Sequence, residues 1–241
     1  MTTMFHPTRH GELLQGARDS LPMLAGAAPF GIIFGTLAGP SGLSLLGAMG
    51  MSLFVFAGSS QFIALTLLSG GAGLAVIVFT TFVVNLRHAL YSATLLPHVA
   101  SLGQRWRIPL AFWLTDETFA VVQHRYGAAD ASPLKHWYHL GSSLAMYGNW
   151  IVWTLVGVLL GRSFEGLDKL GLEFAMVATF TGIVVSLLKS RPMVAAAIAA
   201  GAVALLARDM PYKLGLLLAA LAGVVVGVLL EGRTASKEAQ A

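Results

Sequence analysis

The chain has 241 residues, 56% of them hydrophobic and only 11% charged, with a mean hydropathy of +0.75. A soluble domain carries about 25% charged residues, so this composition excludes a soluble globular class and specifies an integral membrane protein. The lack of cysteine excludes disulfides and thiol chemistry, and the net charge of +4 reads as juxtamembrane Lys and Arg facing anionic lipid, with no nucleic-acid partner.

Residues 1–20, MTTMFHPTRHGELLQGARDS, are polar and lack the apolar core of a cleavable signal peptide. They read as a cytoplasmic N-terminal segment. A single transmembrane domain over 21–230 and a short polar tail over 231–241 follow. Spanning the bilayer takes about 20 mostly apolar residues. The candidate spans are Leu21–Leu37, Leu43–Ser69, Leu74–Leu96, Pro109–Tyr126, Trp137–Leu160, Leu172–Leu188, Met193–Ala207 and Leu214–Leu230. Eight is the count; seven is the alternative, because Met193–Ala207 is short. The fold class is an all-α polytopic transmembrane bundle. Arg9, Arg18, Lys189 and Arg191 favour a cytoplasmic N-terminus, whereas Arg105 and Arg107 fall outside in the same count. With no targeting signal and no large soluble domain, a prokaryotic inner membrane is the expected location.

Pro29 interrupts the first span at "PFG" and predicts a kink. The second span is longer than a crossing needs and holds "FVFAGSSQFIALTLL", with Gly58, Ser59, Ser60 and Gln61 at its middle. Either the hydroxyls bond back to their own helix, or the helix breaks there and turns free backbone groups to a cavity. The break is the preferred reading. A shift that superposes Gly35 on Gly157 and Gly39 on Gly161 also sets Thr181 and Gly182 opposite Ser59 and Ser60, a possible internal repeat. Glycines four apart, at 31, 35 and 39, at 157 and 161, and at 223 and 227, form ridges for close helix packing.

Three polar clusters stand where apolar residues belong. The first is Gly58–Gln61, where half-helix N–H groups and the positive dipole end suit a carboxylate. The second is "VVNLRHALYS": Asn85, His88 and Ser92 share one helix face, and Arg87 and Tyr91 the neighbouring one. The third is "LTDETF". Asp116 and Glu117 are expected near the centre of the Pro109–Tyr126 helix, where a carboxylate costs about 2.5–3.5 kcal/mol. They serve either as a structural ion pair with Arg87 or as proton- or substrate-coupling acids. Asn149, in "MYGNWIVW", needs a partner within its span, and Trp150 and Trp153 flank it. No metal-ligand spacing, phosphate loop, nucleophile elbow or HExxH motif occurs, so neither a cofactor nor an enzymatic activity is expected.

The ordered blocks "ARDSLPML", "AAPFGIIFG", "VFAGSSQFIAL", "NLRHALYSATLLPH", "LTDETFAV" and "NWIVWTLVGVLLG" resemble the AzlC family over roughly residues 16–190. That family is the large subunit of two-component branched-chain amino acid exporters. The resemblance implies a small AzlD-type membrane partner, outward movement of valine, leucine, isoleucine and sometimes methionine, and drive by the proton gradient. Some members carry Asp where this chain has Asn85. If that Asp couples transport in those members, coupling here falls to Asp116, Glu117 or His88. The residues assigned to substrate are Gly58, Ser59, Ser60, Gln61, Phe30, Asn149, Trp150 and Thr181, with Phe56 and Phe62 completing an apolar pocket. Those assigned to coupling or ion pairing are Asn85, Arg87, His88, Asp116 and Glu117. A non-transporting scaffold subunit and a transporter of another small zwitterion or ion are the alternatives.

Overall fold

The computed structural model describes residues 8–129, 132–163, 190–210 and 214–238, together with the single positions 181, 185 and 188. Every described element is helical: α1 (Arg9–Asp19), α2 (Leu21–Ala38), α3 (Leu45–Gly50) continuing as a π-helical turn (Met51–Val55), α4 (Gly58–Ser69), α5 (Leu74–Asn85), α6 (Arg87–Val99), α7 (Gln104–Phe112), α8 (Asp116–Gly127), α9 (Lys135–Ser163), α10 (Arg191–Leu206) and α11 (Leu214–Glu238). Side-chain oxygens start four of them. Thr8, Ser44, Thr115 and Ser190 each accept from a backbone N–H three residues on. The segments Leu21–Ala38, Leu74–Val99 and Lys135–Gly161 are long and apolar enough to cross a membrane. The fold is an all-α membrane helix bundle.

Contacts divide the chain into two units. One holds Met1–Gly71 with Val84–Leu170, the other Ala72–Val83 with Gly171–Ala241. The first unit is built on α2 crossing α9. A Cβ at Gly31 would meet the Trp153 side chain. At Gly35 it would meet Thr154 and Val158 backbone, and at Gly157 the Ile32 carbonyl. Thr36 Oγ1 then donates to the Gly157 carbonyl at 3.1 Å. Gly31, Gly35, Gly157 and Gly161 therefore serve helix packing, as expected, whereas a Cβ at Gly39 would meet nothing within 4 Å. Gly35 and Gly157, superposed by the repeat shift, meet in this crossing. The span predicted over Leu172–Leu188 lies almost wholly outside the described residues, as does Gly182. Gly157→Val is expected to cost about 1–3 kcal/mol, because backbone rather than a flexible side chain stands in the way. Thermal unfolding in detergent checks it; an unchanged midpoint would show the crossing to be looser than described. In the second unit, α10 and α11 pack through Gly223 against Ala196 and Ala200.

The polar N-terminus folds as a helix docked on α9. Gly16 and Gly141 allow contact, since a Cβ on either would strike backbone of the other helix. Glu12 is 4% exposed and receives Arg125 Nη2 at 2.5 Å and Nε at 3.2 Å, with Ser132 Oγ at 2.8 Å. Tyr138 OH donates to Asp19 Oδ2 at 2.7 Å, and the Ser20 and Ser142 hydroxyls bond at 2.7 Å.

Two of the predicted spans are broken. In the second, the π-turn ends at Phe56, whose φ of 42° is left-handed, and Ala57 is extended before α4 begins at Gly58. This is the expected discontinuous helix, its turn falling just before Gly-Ser-Ser. The other break was not expected. Trp113, Leu114 and Thr115 interrupt Pro109–Tyr126, so Asp116 and Glu117 sit in the first turn of α8 and not at mid-helix. The reason is local: Thr115 takes the N-cap, and two acids beside it complement the helix dipole. α2 runs continuously through Pro29.

Candidate functional site

The two breaks face each other across Arg87, the first residue of α6. Its Nη2 donates to Ser59 Oγ at 2.7 Å, in the first turn of α4. Its Nη1 pairs with Asp116 Oδ2 at 2.9 Å, in the first turn of α8. Tyr91, one turn along α6, donates to the other oxygen, Asp116 Oδ1, at 2.5 Å. Arg87 and Tyr91 thus act from one face, as their spacing predicts. The ion pair is partly open: the Arg87 and Asp116 side chains are 28% and 41% exposed.

The start of α4 offers more to an anion than the start of α8. Thr115 caps α8, accepting from the Thr118 N–H at 3.3 Å. The α4 N-cap is Ala57, which has no capping side chain. Its first N–H groups therefore stand beside the Arg87 guanidinium without an oxygen from the cap. Buried donors cluster here as well. Among the described residues, Arg87 Nε, His88 Nε2 and Trp113 Nε1 have no hydrogen-bond partner. Tyr147 of α9 bridges the breaks, its ring 4.9 Å from Phe56 and 5.7 Å from Trp113, with its hydroxyl on the Leu53 carbonyl at 2.9 Å.

Other residues assigned to substrate are committed to the interior. Gln61 is fully buried, donating to Ser52 Oγ and accepting from Trp150 Nε1, both at 3.0 Å. Ser52 continues to Thr154 at 2.9 Å. This chain of four ties α4, the π-turn and α9 together. Ser60 is fully buried and donates to Asn85 Oδ1 at 2.6 Å, which fixes the α5–α6 junction on α4. Asn149 turns to α2, donating to the Leu24 carbonyl at 3.1 Å and accepting from Trp153 Nε1 at 3.0 Å. Trp150 lies over Gly58, where an added Cβ would meet its ring at 3.1 Å. Phe30 is buried on α2, but the ring that meets Phe62 and Trp150 is Phe34, at 5.9 and 6.4 Å. Sequence reasoning passed over Phe34, Ser52, Tyr147 and Thr154. Thr181 is an exposed helical residue of the other unit. Glu117 is half-buried beside Asp116. Of the predicted set, the residues drawn together at the open site are Gly58, Ser59, Arg87 and Asp116, with His88 and Glu117 alongside.

The family profile described as "AzlC protein" matches residues 22–164, more than half of the chain. The chain belongs to the AzlC family. Both breaks and the Arg87–Asp116 pair lie inside the span that carries the AzlC match; Thr181 lies beyond it. An uncharacterized membrane protein of Helicobacter pylori is 37% identical over 174 residues, covering 70% of this chain and 74% of the relative. One of Archaeoglobus fulgidus is 36% identical over 213 residues, covering 87% and 91%. The Bacillus subtilis protein named "Branched-chain amino acid transport protein AzlC" is 30% identical over 162 residues, covering 67% and 62%. No solved structure matches.

Proposed function

We propose that this AzlC-family chain is the large subunit of a secondary exporter, not an enzyme, that moves branched-chain amino acids out of the cell. The observation that carries the reading is the half-open Arg87–Asp116 pair between two helix breaks. An amino acid zwitterion is the complement of such a pair. Its carboxylate competes for Arg87 and the uncapped start of α4; its ammonium competes for Asp116. Branched aliphatic side chains suit the aromatic surroundings of Phe56, Trp113 and Tyr147. The name of the Bacillus subtilis relative supports the same substrate class.

Coupling follows from the same pair. The cargo ammonium and a proton compete for the same Asp116 carboxylate, so a proton arriving on Asp116 displaces the ammonium, and loss of that proton restores the pair with Arg87 for the next cargo. Glu117 in the same turn is the second acid able to carry that proton. The working protein sits in the prokaryotic inner membrane with its N-terminus in the cytoplasm and a small AzlD-type subunit beside it.

Cells loaded with valine- and leucine-containing dipeptides test this. Release of the free amino acids is expected with the chain and its small partner together and not with either alone. No release above background in any arm would remove the substrate assignment.

A further inference from the structure

A second polar feature lies away from the Arg87–Asp116 pair. α6, α7, Leu114 and His139 of α9 line a partly open cavity of about 250 Å³. Most of its wall is aliphatic, including Leu95, Val99, Leu110 and Leu114. Its polar lining is Ser92, Gln104, Arg107 and His139. No described lining residue is an Asp or Glu.

Two of these groups lack what they need. His139 is 2% exposed, and its Nε2 is buried with no hydrogen-bond partner. A buried donor left unsatisfied costs about 1–3 kcal/mol, and His139 is one of the residues that line the cavity. Its Nδ1 lies 3.4 Å from the Tyr126 hydroxyl. A hydroxyl that donates to Nδ1 leaves the proton on Nε2, which then offers an N–H. The Arg107 side chain has no hydrogen-bond or ion-pair partner among the described residues, and its guanidinium is a fixed positive charge on the same wall.

We infer that this cavity is a binding site for an aliphatic monocarboxylate. Arg107 takes the carboxylate, His139 Nε2–H gives it a second donor, and the leucine- and valine-lined wall takes the tail. The chemistry excludes the exporter's own cargo as the preferred occupant. An ammonium group would find no carboxylate here, whereas at Arg87–Asp116 it would. The volume suits a branched acid of metabolite size, below the roughly 300–1,000 Å³ of drug-sized pockets. Leu114 belongs to the break that precedes Asp116, so an occupant touches the segment that positions the coupling acid.

The test is equilibrium binding of 4-methylpentanoate to the purified full chain in nanodiscs of neutral lipid. Saturable binding is expected, weakened at least about tenfold by Arg107→Gln and by His139→Phe. His139→Phe removes both ring nitrogens from an apolar site, so the fold should survive and a merely structural histidine would leave binding unchanged. Leucine is expected to compete poorly, and Asp116→Asn to leave binding intact, which separates this site from the transport reading. Absence of saturable binding, or binding that survives both substitutions, would overturn the proposal. So would displacement of the acid by phosphatidylglycerol added to the nanodiscs, which would give the cavity to a lipid headgroup.

Discussion

Asp116→Asn is expected to abolish leucine efflux from dipeptide-loaded cells while the protein reaches the membrane at its normal level. The fold should tolerate the change. The Arg87–Asp116 pair is partly exposed on both sides, and exposed pairs contribute only about 0–1 kcal/mol. Asn keeps the shape and still accepts from Tyr91. What it loses is the charge that holds an ammonium and the site that carries a proton. Arg87 is then left without its counter-charge, free to grip a carboxylate and with nothing to displace it. Glu117→Gln is expected to retain measurable transport, because Asp116 and not Glu117 meets Arg87 and Tyr91. The reciprocal exchange, Arg87→Asp with Asp116→Arg, separates transport from scaffolding. It should restore neither binding nor efflux, since an arginine in the first turn of α8 opposes the helix dipole by about 0.3–1 kcal/mol and faces no uncapped α4 start. Full efflux from the exchanged protein would mean that the pair is a simple strut.

The sequence carried the membrane class, the long apolar segments near Leu21–Ala38, Leu74–Val99 and Lys135–Gly161 and the break before Gly58, because each is written in local signals. Hydropathy marks a span, and small polar residues at mid-depth mark a break. The pairing of Arg87 with Asp116 was one of two open readings, and it forms at 2.9 Å. The second break went unread although its signature is present. Thr115 followed by Asp116 and Glu117 is a helix start, and an apolar run on either side masked it. Gln61 was assigned to substrate because its type and depth suited a ligand. Its commitment to Ser52 and Trp150 depends on residues 9 and 89 positions away. The same limit hid the folding of the N-terminus: Glu12 and Arg125 stand 113 residues apart, and neither announces a partner locally.

That distant pair is expected to behave oppositely to Arg87–Asp116. Arg125→Ala is expected to cost about 3–5 kcal/mol, because it leaves a buried carboxylate without compensation. Glu12 is 4% exposed and the Arg125 side chain 13%, so water cannot replace the lost partner as it can at Asp116. Among the described residues the Ser132 hydroxyl alone remains on Glu12, and a single neutral donor does not offset a bidentate guanidinium. α1 would still be tied through Tyr138–Asp19 and Ser20–Ser142, so the expected result is undocking of α1 and not collapse of the bundle. Trypsin cleavage at Arg18 in detergent-solubilised protein reads it directly. Cleavage should accelerate on the order of 100-fold if opening gains the lower end of that energy. Removing both charges, with Glu12→Leu and Arg125→Met, should recover most of the protection, since an apolar pair of similar volume carries no desolvation cost. Unchanged cleavage in Arg125→Ala would show that the glycine contact at Gly16 and Gly141 holds α1 without the ion pair.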